Sequence, residues 1–223
     1  MHRILTALAF AVAVLSATDV AGAPVLSAGL NPEFSGDAAV RYRSFGNTGG
    51  NETYLGKGDL GQPGNRVEQG YTWTDGAFDF AFTIDLANNR LTSKLPGASL
   101  LTYGYTADPI INAFKISSID RAAQGELWIT NLIVNGTSLG AVTSAASEGV
   151  LDFTVTGVAV STLYTITGKI HRTGFFGSSQ EGSRIDIVAG YVPPPAIPLP
   201  AAAWMLLAGL AGLAAVARRG KDA

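Results

Sequence analysis

The nine residues FDFAFTIDL, from Phe78 to Leu86, constrain the fold of this chain more than any other stretch. Large apolar side chains occupy every second position, and Asp, Ala, Thr and Asp stand between them. Successive side chains of an extended strand point to opposite faces, so this period of two predicts a β-strand with one buried and one wetter face. Asn88-Asn89 tolerates the left-handed angles of a tight turn, after which Leu91–Ser93 is predicted to return as the paired strand.

Further runs rich in β-branched and aromatic residues follow, separated by turn residues at the spacing typical of a β-sandwich. The runs are Ser99–Thr106, Ile110–Ile119, Glu126–Leu139 with a hairpin signal at Asn135-Gly136, Val150–Val160, Leu163–Gly174 and Arg184–Tyr191. We interpret the glycine-rich segment Ser35–Gly70 as long loops around one or two short strands, of which Val40–Phe45 is the best. The stretch Ala141–Val150 could form a short helix. The sequence therefore predicts an all-β domain, either a β-sandwich or a jelly roll.

Residues 1–23 have the order of a secretory signal peptide. A short basic head, His2-Arg3, precedes an apolar run from Ile4 to Leu15 and then small residues. That run is shorter than the 20 or so residues that span a bilayer. We expect the secretion translocon and signal peptidase as partners, with cleavage after Ala23 and with Gly22 and Ala17 as alternative sites. An uncleaved anchor or a buried helix is the other interpretation. Residues 24–191 would then form an ectodomain.

Three segments of different composition follow residue 191. Residues 192–200 are rich in proline, which favours an extended segment that joins neither a sheet nor a helix. Residues 201–217 carry no charge and would make a helix of roughly 25 Å, at the short end of the spanning range. The tail 218–223 contains a basic stop of Arg218, Arg219 and Lys221. Because positive charge stays cytoplasmic, we predict one transmembrane helix in membrane lipid, with its C-terminus inside and the domain outside.

The stretch IPLPAAAWMLLAGLAGLAAVARR resembles the VPLPA-type variant of the PEP-CTERM sorting signal. Tails of this kind occur on exported proteins of Gram-negative bacteria that make extracellular polysaccharide. The motif falls on Pro198, Leu199, Pro200 and Ala201, with Ile197 where valine is usual. The resemblance implies processing by an exosortase, a membrane-embedded transpeptidase-like enzyme, and then a place at the cell surface or outside the cell. An ordinary single-pass anchor with a proline linker is the alternative, and it also places the domain outside the cytoplasm.

The residue inventory excludes several kinds of chemistry. The chain has no cysteine, which excludes disulfides, thiolate zinc sites and cysteine nucleophiles. A formal net charge of −2 gives no indication of a nucleic-acid partner, which would call for a clustered basic face. Residues 24–200 hold 11 basic and 15 acidic residues, a formal charge of −4 that gives no electrostatic reason to bind acidic polysaccharide.

No catalytic residue, cofactor or metal ligand is predicted. His171 is the only histidine after residue 23, and it lies in the strand pattern KIHRTG between Lys169 and Arg172, so we interpret it as a surface residue of a strand. Asp79 and Asp85 share a strand face, but they lie roughly 20 Å apart, too far for the paired acid and base of a glycosidase. Acids from separate strands could still converge. Calcium held by loop carbonyls and scattered aspartates is a further alternative.

Aromatic residues are the remaining candidates for ligand contact. Tyr71 and Trp73 share one strand face and could stack on sugar rings if exposed, or they could fill the core. We expect Trp128 to lie in the core. The first hypothesis for function is thus a non-enzymatic surface or extracellular-matrix protein, active in adhesion or biofilm structure. The alternative is a carbohydrate-binding or carbohydrate-active β-sandwich with extracellular polysaccharide as its ligand.

Overall fold

The computed structural model describes residues 23–43, 51–106, 110–121, 124–145, 149–176, 183–194 and 209–210. In this part of the chain there are thirteen β-strands and one 3-10 turn, Pro63–Asn65. In chain order the strands are β1 (Val25–Ala28), β2 (Ser35–Arg43), β3 (Asn51–Lys57), β4 (Arg66–Gly70), β5 (Gly76–Asp85), β6 (Arg90–Lys94), β7 (Leu101–Gly104), β8 (Ala113–Ile119), β9 (Gln124–Val134), β10 (Thr137–Ala145), β11 (Val150–Thr156), β12 (Leu163–Phe175) and β13 (Arg184–Tyr191).

The strands form two sheets. Sheet A has the spatial order β1-β11-β8-β13-β2-β3-β4, and sheet B has the order β10-β9-β12-β5-β6-β7. Every neighbouring pair in both sheets is antiparallel. The prediction of an all-β domain is therefore confirmed.

The inner faces of the two sheets share one hydrophobic core. Sheet A contributes Val40, Tyr42, Leu55, Ile116 and Ile187, and sheet B contributes Phe80, Phe82, Ile129, Ile166 and Ile170. Each of these side chains is at most 2% exposed. Two antiparallel sheets packed face to face in this way are consistent with the predicted β-sandwich.

Local sequence signals correspond closely to the observed strands and turns. Phe80, Phe82 and Ile84 of β5 are buried, whereas the residues between them lie on the outer face. Asn89 takes a positive φ of 50° in the turn that leads from β5 to β6. Asn135-Gly136 likewise has φ values of 49° and 82° and closes the β9–β10 hairpin, because these residues tolerate the left-handed region that a tight hairpin turn requires.

One expectation about local structure is wrong. The segment Ser35–Gly70 contains three strands, β2, β3 and β4, rather than one or two short strands among long loops. Gly56 explains part of the difference, since a Cβ at this position would lie 1.9 Å from the carbonyl oxygen of Asn65. The glycine thus permits close approach of two backbones in a strand, which its sequence context does not reveal. In the stretch Ala141–Val150, for which a short helix was an alternative, residues 141–145 instead continue β10.

A buried hydrogen bond joins the two sheets, and its removal provides a test of this packing. Tyr42 Oη of β2 and Ser93 Oγ of β6 are 3.0 Å apart, with both residues at most 2% exposed. Burial raises the pKa of Tyr42 well above its usual value, so the phenol stays protonated. Tyr42→Phe leaves the Ser93 hydroxyl unsatisfied and should lower the free energy of unfolding by about 1–2 kcal/mol, measured by urea denaturation. Ser93→Ala in the Tyr42→Phe background should then lower the free energy of unfolding only slightly. If the losses caused by the two substitutions were fully additive, the hydrogen bond between Tyr42 and Ser93 would be contradicted.

The chain divides into two compact units, Met1–Val192 and Pro193–Ala223. Residues 1–22 of the predicted signal peptide, the sorting motif (Pro198, Leu199, Pro200 and Ala201) and the basic stop (Arg218, Arg219 and Lys221) lie outside the described residues. Gly209 and Leu210 are described and are helical. Within the described ranges, the structure contains no helix with the length and apolar character needed to cross a membrane. The signal peptide, the anchor and the sorting signal remain predictions from sequence.

Candidate functional site

Tyr71 and Trp73, the pair for which we left open sugar stacking or core packing, do not form an exposed surface. Trp73 is 0% exposed, and it packs edge-on against Tyr71 and Phe78, with ring centroids 4.6 and 5.2 Å away. No ring could stack on Trp73 in this structure, so the core alternative holds for it. Tyr71 is half-buried against the core, and its hydroxyl donates to the carbonyl oxygen of Pro96 at 3.1 Å. Both residues therefore help to close the core.

A different aromatic pair lies on the outer face of sheet B. Trp128 of β9 and His171 of β12 are direct cross-strand partners, and their rings stack with centroids 4.8 Å apart and planes 8° from parallel. Both residues are half-buried, which corrects the expectation that Trp128 belongs to the core. On its other side His171 is paired with Ala77, an exposed residue whose side chain is a single methyl group.

His171 is a neutral ring held in a fixed orientation. Its Nε2 lies 2.7 Å from the hydroxyl oxygen of Thr130. Burial, and then the positive charge of Lys169, lower the pKa of His171 below its usual value. An uncharged flat ring fixed by a hydrogen bond and a stacked tryptophan is suited to van der Waals contact with the face of a sugar.

Next to this pair, the outer face of sheet B contains an open groove of about 450 Å³. We call it the sheet-B groove; its lining includes Asp79, Ala81, Lys94, Asn131, Thr167 and Lys169. The strand register brings these residues together, since Lys169 is paired with Asp79, and Ala81 is paired with both Thr167 and Lys94. The small side chain of Ala81 forms the floor between the two lysines.

Asn131 reaches the groove because of a β-bulge. The pairing of β12 with β9 shifts between Thr167 and Lys169, and Asn131 has a φ of 52° at this irregularity. Asparagine adopts the left-handed region more readily than other non-glycine residues. A bulge re-aims the side chains beside it, and here the exposed amide of Asn131 adds a donor and an acceptor to the groove.

The charged groups of the groove are partly paired. Lys169 Nζ donates to Asp79 Oδ1 at 2.6 Å, and Lys94 Nζ donates to the carbonyl oxygen of Ala98. An ammonium group has three N–H donors, so each lysine keeps donor capacity for a ligand. Lys94 and Lys169 against Asp79 leave the lining with a formal charge of +1.

Beyond the groove the same face continues as a row of hydroxyl groups. Thr165, Thr83, Thr92 and Thr102 are successive cross-strand partners on β12, β5, β6 and β7. Along β12 the outward positions run from His171 through Lys169 and Thr167 to Thr165, a distance of about 20 Å. The outer face of sheet B thus presents a ring, two ammonium groups, an amide and several hydroxyls, spread over the neighbouring strands β9, β12, β5, β6 and β7.

A second, smaller cavity of about 310 Å³ lies on the outer face of sheet A. Arg41, which lines the cavity, and Arg184 donate from Nε to the two carboxylate oxygens of Asp186 at 2.6 and 3.0 Å. The apolar part, Ala39 and Val188, packs with Leu60. The lining also carries Asp59 and Lys115, and we do not assign this cavity a ligand.

Asp79, Asp85 and other carboxylates of the domain bind donors at separate places. Asp79 pairs with Lys169 and Asp75 with Arg172, while Asp152 accepts from the hydroxyl of Ser117. Asp85 accepts from Asn88, and this hydrogen bond is the main reason that the pKa of Asp85 lies below its usual value. Asp108 lies outside the described residues. Among the side chains that are described, no group of three His, Asp or Glu residues could hold a metal ion.

These observations define a class of protein by fold alone, an antiparallel two-sheet β-domain with a groove on one outer face whose surface is largely apolar and carries two lysines. Comparison with known protein families finds no match. Comparison with curated proteins likewise finds no similar sequence.

Sequence reasoning missed the residues of this face for an identifiable reason. In ELWITNLIV, from Glu126 to Val134, either Trp128 or its neighbours Leu127 and Ile129 could face the core. The signal lay in the nearest members of each face, because Trp128 shares its face with Glu126 and Thr130, whereas Leu127 shares its face with Gly125 and Ile129. The alternation within one strand could not have assigned Lys94 and Asp79 to the same site as Lys169. These three residues come close together only because of the order of the strands in the sheet.

Proposed function

We propose that this is an exported, non-enzymatic surface or extracellular-matrix protein, held in the inner membrane by its C-terminal segment and processed there by an exosortase-like enzyme. The observation that carries the proposal is the order of the tail, in which a Pro-Leu-Pro-Ala motif precedes an uncharged block and a basic end. A basic end after an apolar block favours an anchor with the domain outside the cytoplasm. Signal peptidase and the secretion translocon would act at the other end of the chain.

The place where the β-domain ends supports this proposal. The last strand, β13, ends at Tyr191, and the backbone of Val192 is then bound by the side chain of Asn112. Asn112 Nδ2 donates to the carbonyl oxygen of Val192 at 2.9 Å, and the N–H of Val192 donates to Asn112 Oδ1 at 2.8 Å. The fold is thus fixed up to the residue that precedes the prolines. A proline-rich spacer after such an end would keep the motif accessible to a processing enzyme.

Replacement of the motif prolines tests the sorting signal. Pro198→Ala together with Pro200→Ala should leave the full-length chain in the membrane fraction of the native host, because the extended motif would be lost. Immunoblotting of cell fractions and mass spectrometry of the C-terminus would measure this. Pro194→Ala with Pro195→Ala is the matched control, since it changes two prolines of the same spacer outside the motif and should leave processing intact. Unchanged processing of the Pro198/Pro200 variant would refute the sorting signal and leave an ordinary anchor.

A second candidate function, carbohydrate binding, is favoured by the sheet-B groove. Its support is the stacked pair of His171 and Trp128, the amide of Asn131 and the row of threonines on the same face of sheet B. Sugars are commonly bound by a flat ring together with polar side chains on one surface, and a surface role outside the cell would bring the domain to polysaccharide. This function uses His171 and Trp128 in place of Tyr71 and Trp73.

A further inference from the structure

We infer that the sheet-B groove selects anionic glycans over neutral ones, with Lys94 and Lys169 as the groups that bind the acidic substituents. This inference rests on the proposed carbohydrate-binding function and adds the chemical class of the ligand. It concerns charge selectivity, which overall composition does not predict, since residues 24–200 carry a formal charge of −4.

The local charge of the groove differs in sign from that of the whole domain. Its lining contains Lys94 and Lys169 but only one carboxylate, Asp79. Lys94 is exposed, and the side chains of Lys169 and Asp79 are 39% and 73% exposed. A ligand charge at these lysines would approach to within hydrogen-bonding distance, where screening by salt is weakest.

The spacing of the two lysines fits a repeating ligand better than a single small anion. Lys94 lies on β6 and Lys169 on β12, with β5 between them, and they are offset by two residues along the strands. Strand spacing and rise place their Cα atoms about 12 Å apart. Ala81 occupies the space between them, so a chain with an acidic group on some of its units could lie across the floor and reach both ammonium groups.

Asp79 sets the strength of this selectivity. Its carboxylate occupies one donor of Lys169 and would repel an anionic ligand, so the free groove contains a built-in competitor for that lysine. Replacement by asparagine removes the charge while keeping the size of the side chain. Asp79→Asn should therefore strengthen binding of an anionic glycan, whereas removal of either lysine should weaken it. Partial unfolding of a variant could not produce such a gain.

The two lysines recognise the charge of an acidic group rather than its shape. An ammonium is a compact point charge, unlike the planar fork of a guanidinium. Carboxylated and sulfated glycans are therefore both within the inferred class. Since an ammonium group binds carboxylate and sulfate alike, the test includes one glycan of each kind and a neutral chain of equal length.

The experiment measures affinities of the full-length chain, purified in a non-ionic detergent, by isothermal titration calorimetry at low ionic strength. The probes are an oligouronate, a sulfated dextran oligomer and a neutral β-1,4-glucan oligomer. Lys94→Gln and Lys169→Gln should each weaken oligouronate binding about threefold and together about tenfold, with little change for the neutral oligomer. Asp79→Asn should strengthen oligouronate binding about threefold. Lys115→Gln, a lysine on the outer face of sheet A, is the matched control and should change nothing.

The possible outcomes separate the inference from the function on which it rests. Tighter binding of either anionic probe than of the neutral one, with loss in the groove variants, supports the inference and identifies the acidic group. Equal binding of all three probes keeps carbohydrate binding but overturns the selectivity. An equal loss in Lys115→Gln also overturns it, because the attraction would then come from the whole surface. Failure of every probe to bind rejects both the carbohydrate function and the inference.

Discussion

Gly190→Ala is expected to destabilise the domain by roughly 3 kcal/mol or more, enough to leave little folded protein if total stability is near the low end of the usual range of about 5–15 kcal/mol. Gly190 lies in β13, opposite Gly36 of β2. A Cβ at residue 190 would lie 2.0 Å from the carbonyl oxygen of Ser35 and 2.9 Å from the Cα of Gly36. These are backbone atoms, so no side-chain rotation can relieve the overlap, and β13 would have to separate from β2.

The matched control for this substitution is Gly104→Ala in β7. A Cβ at residue 104 would meet nothing within 4 Å, and this glycine does not have a positive φ. Its replacement should change the free energy of unfolding by no more than about 0.5 kcal/mol. Chemical denaturation of both variants by urea gives the comparison. Equal stability of Gly190→Ala and the parent chain would show that β13 is not paired with β2 in this register.

Trp73→Ala is expected to cost about 3–5 kcal/mol, because it removes the largest of the fully buried side chains and leaves a cavity that its neighbours can fill only in part. Trp73 lies in the connection between β4 and β5, where its ring contacts Tyr71 and Phe78 edge-on. Such edge contacts add to the free energy gained from burial alone. Urea denaturation followed by far-ultraviolet circular dichroism would measure the loss.

Trp128→Ala provides the comparison for Trp73, since it removes the same side chain from the outer face of sheet B. Trp128 is only half-buried, and its loss should cost about 1 kcal/mol. The two substitutions should therefore differ clearly in their effect on the free energy of unfolding. Trp73 is required for folding, whereas Trp128 is required for the surface that supports His171. A Trp73→Ala variant that kept its stability and lost glycan binding would instead restore Trp73 as a ligand-stacking residue.

The parts of the fold that depend on local chemistry could be predicted. The alternation in β5 predicts its buried face, because a strand has only two faces and the phenylalanines must share one of them. Asn89 and Asn135 mark turns, because few residues adopt a positive φ without strain. Arg184–Tyr191 is predicted with the same bounds that the structure shows.

The groove could not be predicted in the same way, because it depends on which strands become neighbours. Asp79 and Lys169 are 90 residues apart in the sequence and meet only because β12 pairs with β5. The bulge at Asn131 adds an exposed amide through a register shift for which no simple sequence rule exists. Strand order in sheet B is thus the information that the sequence pattern does not contain.

The position of β13 has a consequence for how the protein is made. This strand is the last one of the domain, yet it lies in the interior of sheet A, between β8 and β2. Without it, the sheet consists of two separate groups of three strands, β1-β11-β8 and β2-β3-β4. A chain that emerges from a ribosome or a translocation pore with its N-terminus first cannot complete this sheet until residue 191 is free. Sheet A can therefore be completed only after the whole domain has been synthesised. Until then, the edges of the two three-stranded groups that β13 joins are unpaired and available to a chaperone.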